Sequence, residues 1–108
     1  MTKPGTIPPA EVAHNAKKGL KLREKFGRGG TDVGLLRARK LAAREPVSRH
    51  DVVTISSYFA RHAVDKEGRQ HVWGNDNDPS AGYVAWLLWG GDEGQLWADK
   101  LKAELGQG

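Results

Sequence analysis

Apolar residues in this chain recur at three- and four-residue intervals, and nowhere do they alternate over a stretch long enough for a trusted strand. That periodicity restricts the fold to packed helices. Val52, Ile55, Phe59 and Ala63, at i, i+3, i+7 and i+11, form its cleanest instance and predict a third helix over about Arg49–Ala63. Ser48 with Asp51 three residues on is a relative of the capping box and marks the start of that helix.

Glycine and proline clusters divide the rest. Thr2–Pro9 holds three prolines and a glycine and reads as a flexible tail over residues 1–9. Ala10–Phe26 reads as a helix with Val12, Ala13, Ala16 and Leu20 inward and Phe26 at its end. Gly19 weakens it, since an interior glycine costs about 1 kcal/mol against alanine. Gly27-Arg28-Gly29-Gly30 makes a corner, and Thr31 or Asp32 caps a second helix over Thr31–Arg44, stopped by Pro46. Leu35, Ala38 and Ala42 line its inner side. Val64–Pro79 has no period and many turn formers, so it reads as a long surface loop. Ser80 caps a short helix to Trp89, Gly90-Gly91 turns the chain, and Asp92 opens a last helix to about Leu105. Trp86, Trp89, Trp97 and Leu101 are expected to meet across that corner. The fold class is all-α, a compact single domain of about five short helices over residues 10–106, with its long loop between helices three and four.

Composition excludes several classes. The chain of 108 residues is 38% hydrophobic and 28% charged with four Trp, which is the make-up of a folded domain and not of a disordered one. No apolar run approaches the roughly 20 residues of a membrane span, the longest being Tyr83–Trp89. The opening residues lack the apolar core of a secretion signal. With no Cys there is no disulfide, thiolate nucleophile or cysteine-ligated zinc, and a reduced, cytoplasmic setting is expected. Charge is unevenly divided. Residues 1–50 carry twelve Lys and Arg against four acids, a net +8, and residues 51–108 carry five against nine, a net −4. The basic half suits phosphates or an acidic protein surface, or is simply a solvated helical face.

Three segments together carry a resemblance: Asn15–Gly34, Tyr58–Asp65 and Pro79–Ala98, the last with its Trp89-Gly90-Gly91-Asp92 run. Over roughly residues 10–105 the chain is similar to a small domain of uncharacterised function in proteins of tailed bacteriophages and prophages, found alone or attached to larger polypeptides, including head-maturation polypeptides. The resemblance implies phage origin and a non-enzymatic role. It supplies no catalytic residues.

The residues themselves offer little for catalysis. His14, His50, His62 and His71 are 36, 12 and 9 residues apart, with no helical His pair to prearrange a metal. His62 is expected near the end of the third helix, bonded to Asp65. Asp76, Asp78 and Ser80 imitate the first ligands of a calcium loop, but Leu87 stands where a bidentate Glu is required, so Asp78 and Ser80 read as helix caps. No Ser has a His at a local spacing suited to a general base, and there is no Gly-x-Ser-x-Gly elbow. No metal, cofactor, membrane or small-molecule substrate is expected.

The basic residues are ordered. Lys17, Lys21 and Lys25 recur every four residues as one stripe, with Lys18 and Arg28 beside it, and Arg37, Lys40 and Arg44 share one face of the second helix. Between them, Gly29 and Gly30 with Arg28 read either as a tight corner or as an amide clamp for a DNA phosphate at a helix N-terminus. The corner at Gly90-Gly91 resembles a helix-turn-helix, but the acidic helix after it would be repelled by a major groove. The expected function is therefore phosphate-driven DNA binding by a phage accessory protein in the host cytoplasm or on the virion. The rival is a virion-assembly or host-factor interaction module. In it the same residues meet an acidic host or phage protein, with Trp73 as the exposed anchor.

Overall fold

Pro8 and Pro9 hold the chain extended before its first helix, with Pro9 as N-cap at φ −60° and ψ 161°. In the computed structural model, which describes residues 6–67 and 72–106, there follow α1 (Ala10–Phe26), α2 (Asp32–Ala42), α3 (Arg49–His62), α4 (Ala81–Leu88) and α5 (Gly91–Gly106). A single 3₁₀ turn, Ala63–Glu67, continues from α3. No strand occurs among the described residues, and the fold is all-α.

Gly27, at φ 65°, closes α1 by donating its N–H to the Arg23 carbonyl at 2.8 Å. Thr31 then caps α2, its hydroxyl accepting from Gly34 N–H. α2 returns antiparallel to α1, because residues beyond its end meet residues before α1. Val47 N–H donates to Thr6 O at 2.9 Å, and Arg44 Nε donates to Pro8 O at 2.8 Å. Those bonds correct the expectation of a free tail for residues 6–9, since Thr6 and Pro8 are buried. Residues 1–5 lie outside the described residues. α2 also ends earlier than the pattern suggests. Arg44 turns to φ 55°, and the N–H groups of Arg44 and Glu45 donate back to the Leu41 and Lys40 carbonyls, a Schellman closure just before Pro46.

α3 begins on a complete capping box: Ser48 Oγ accepts from Asp51 N–H, and Asp51 Oδ2 accepts from Ser48 N–H. Val52, Ile55 and Phe59 are buried, but Ala63 is exposed and belongs to the 3₁₀ turn, so the inward face stops one turn short. α5 runs antiparallel along α3. An Arg49 guanidinium N–H donates to the Leu105 carbonyl at one end, and Ser56 Oγ donates to Asp99 Oδ1 at 2.6 Å midway.

α4 is the central element. It is apolar nearly all round, with Tyr83, Val84, Trp86, Leu87 and Leu88 buried, and it touches all four other helices. A helix of that composition must be enclosed. Val84 and Leu88 face the α1–α2 corner. The aromatic rings differ from the expected grouping: Trp86, Trp89 and Leu101 are buried and Trp97 is partly so, but the rings are bridged by α3. Tyr58 stacks on Trp89 at 4.4 Å, and Phe59 meets Trp86 edge-on at 4.6 Å. The radius of gyration, 13.4 Å, is near the value of about 13 Å for a compact chain of this length.

Candidate nucleic-acid interface

α1 buries Val12, Ala16, Gly19 and Leu22, and the helical period therefore carries Lys17, Lys21 and Lys25 to the opposite side. All three are exposed. Lys17 and Lys21 have no acidic partner among the described residues, and the Lys25 ammonium stands 5.3 Å from the Phe26 ring. At 1.5 Å rise per residue the three ammonium groups span about 12 Å of helix surface. Lys40 is also exposed on α2, together with Arg39, which the stripe pattern passes over; Arg44 lies past the end of α2 and donates its Nε–H to the Pro8 carbonyl.

The other expected contacts are engaged inside the protein. Lys18 Nζ is 2.9 Å from Asp76 Oδ2, and Tyr83 OH donates to the other oxygen at 2.8 Å. The bond to Asp76 raises the Lys18 ammonium above its ordinary value, and the same bond lowers the Asp76 carboxyl. Arg28 Nη1 reaches the Pro79 carbonyl at 3.1 Å and Asp78 at 3.3 Å, which holds the α1–α2 corner to the segment before α4. Arg37 has a side chain only 13% exposed; it lies 3.0 Å from Asp51 and 5.6 Å from the Trp89 ring centre. Burial raises the Asp51 carboxyl, but the bonds from Ser48 N–H, Arg37 and Ser48 Oγ outweigh it and hold the group below its usual range.

The glycine corner is shaped by packing. Gly29 and Gly30 have φ of 92° and 80°. A Cβ on Gly29 would lie 2.6 Å from Val84 Cβ, and one on Gly30 would lie 2.4 Å from Leu88 Cδ1. Arg28 is turned to Asp78, and Gly29 and Gly30 let α4 approach. The stripes also divide: Lys17, Lys21, Lys25 and Lys40 face out, while Lys18, Arg28, Arg37 and Arg44 make contacts within the fold.

Trp73 is half-buried, edge-on to Tyr83 at 5.4 Å and to Trp86 at 5.7 Å, so it is not a free anchor. Ser80 caps α4 as expected, whereas Asp78 faces Arg28. His62 Nδ1 is 3.2 Å from Asp65 Oδ2, as its spacing suggests. Among the described residues no three His, Asp or Glu side chains gather as a metal site, and no helix is long and apolar enough to cross a membrane. His71 lies outside the described residues. A second constellation was not visible in the spacing. Lys66, Trp73, Trp86 and Asp92 meet from four separate segments, and only the clustering of Trp in the second half hinted at it.

Comparison of the chain with protein-family models, with curated proteins and with solved structures finds no match.

Proposed function

We propose that this chain is a non-enzymatic phage accessory protein, acting in the host cytoplasm or on the virion, whose α1 surface binds DNA through its phosphates. The observation that carries the reading is the row of Lys17, Lys21 and Lys25, exposed on one helix with no carboxylate paired to any of them among the described residues. Phosphate contacts of this kind give affinity with little choice of sequence. Lys40 extends the positive surface on α2.

Salt tests it. Three phosphate contacts give a slope of about −3 in log affinity against log salt. Reversing Lys17, Lys21 and Lys25 to Glu touches no buried position and abolishes duplex binding while the circular dichroism spectrum stays helical. No gel shift of duplex by tens of micromolar protein, at about 50 mM salt where such contacts are strong, refutes the reading.

One observation favours the protein-partner alternative on α2. Val33 and Leu36 are 63% and 54% exposed on the face that carries Lys40. A phosphate backbone makes no use of apolar side chains, whereas an acidic protein surface with an apolar centre does. Under that alternative Leu36→Asp removes the partner, and the α1 reversals do not.

A further inference from the structure

Lys66 stands on the 3₁₀ turn after α3, none of whose residues is buried. Its ammonium nevertheless has a defined seat. Nζ lies 4.6 Å from the centre of the Trp86 ring, 5.7 Å from that of Trp73, and 2.9 Å from Asp92 Oδ1. The walls of the seat are fixed independently of their occupant. Trp86 is 2% exposed and donates its indole N–H to the same Asp92 oxygen at 2.8 Å, and Trp73 is set edge-on against Trp86 and Tyr83. Two indole faces and a carboxylate are the components of an aromatic ammonium cage. Trp73, Trp86 and Asp92 also border a cleft of about 310 Å³ that continues past Tyr83 toward Asn15 and Glu93, with Lys18, its ammonium 2.9 Å from Asp76, on the wall. A cleft of that size admits the stem of an incoming side chain beside the seat.

We infer that Trp73, Trp86 and Asp92 form a binding site for an alkylammonium group, such as the end of a lysine side chain, and that Lys66 is a tethered occupant which such a ligand displaces. Trp86 and Asp92 belong to α4 and to the first turn of α5, and Trp73 to the segment before α4 that packs on them, whereas Lys66 comes from a turn with no buried residue. An intramolecular occupant competes at a high effective concentration, so the site is masked until a better-placed ammonium arrives. The cage is built from residues other than the α1 stripe, and it stands or falls separately from the DNA reading.

The test is a titration of the full chain, labelled with nitrogen-15, by butylammonium chloride, choline chloride and acetyl-Gly-Lys-Gly-amide, each against sodium chloride at equal ionic strength. The Trp73 and Trp86 indole N–H resonances report occupancy. Lys66→Ala opens the cage, and its indole signals shift saturably with about 10-fold less ligand than the unaltered chain requires. Adding Asp92→Asn or Trp73→Ala to Lys66→Ala removes the shift. Asp92→Asn keeps an acceptor for the Trp86 N–H, so it tests the charge even if the Trp73 change unfolds the protein. Tighter binding of the peptide assigns a protein lysine as ligand, and tighter binding of choline or butylammonium assigns a small-molecule ammonium ion; both uphold the site. Indole signals in the Lys66→Ala chain that follow ionic strength alone overturn the cage. Equal affinity with and without Lys66 overturns its role as occupant.

Discussion

Gly19 sits in the middle of α1, where helix propensity alone would favour almost any other residue. A Cβ there would lie 2.8 Å from the backbone nitrogen of Leu88, an atom that α4 cannot move aside. Gly19→Ala thus sets a propensity gain of about 1 kcal/mol against a backbone collision. The collision wins, with a net loss of about 1–3 kcal/mol, the usual cost of forced overpacking. A thermal melt followed by circular dichroism checks the sign, and a raised midpoint refutes the close approach of α1 and α4. The sequence shows the cost of this glycine but not its reason, because its neighbour in space is 69 positions away in the chain. Trp73 teaches the same lesson in reverse. Placed in a segment without period it looks free, yet Tyr83 and Trp86 take up its edge.

Among the elements, α1 and α3 are the most legible, since their caps and inward faces rest on residues within one or two turns of each other. Ser48 and Asp51 announce the start of α3, and Val52, Ile55 and Phe59 its buried side. What a helical wheel cannot display is the partner across the gap. Arg37 shares a face with Lys40 on α2, but α3 brings Asp51 against it, and the arginine becomes a tie between helices. This tie has a pH signature. The folded Asp51 carboxyl lies below its usual value, so its contribution is whole above about pH 4 and is lost as pH falls through the folded value. The melting temperature should decline on acidification below that point. Asp51→Asn lowers stability at neutral pH, where the charged cap and the ion pair are both missing, and makes the acid decline shallower. An acid profile of unchanged steepness in that variant would show that Asp51 is not the group responsible.

The whole molecule is joined by contacts between its earliest and latest segments. α1 and α2 close on each other through the clasp of Thr6 and Pro8 with Val47 and Arg44, but their inner sides are finished by α4, and α3 is finished by α5. A chain ended at Pro79 therefore keeps the residues of α1, α2 and α3 and loses their common floor. It should melt without a cooperative transition, and a sharp transition in that fragment would show that the three helices need no further cover. The overall class was legible because helical period and glycine corners are local signals. The pairing of α1 with α4 was not, since nothing in Val12, Ala16 or Gly19 names Val84 or Leu88. The same pairing sets a schedule for the ribosome. α1 emerges first and stays without its floor while roughly 70 more residues are added, about 4–14 s at ordinary elongation rates. For that interval the nascent chain displays an apolar stripe on one side of its first helix and three lysines on the other, a state suited to capture by a chaperone until α4 arrives.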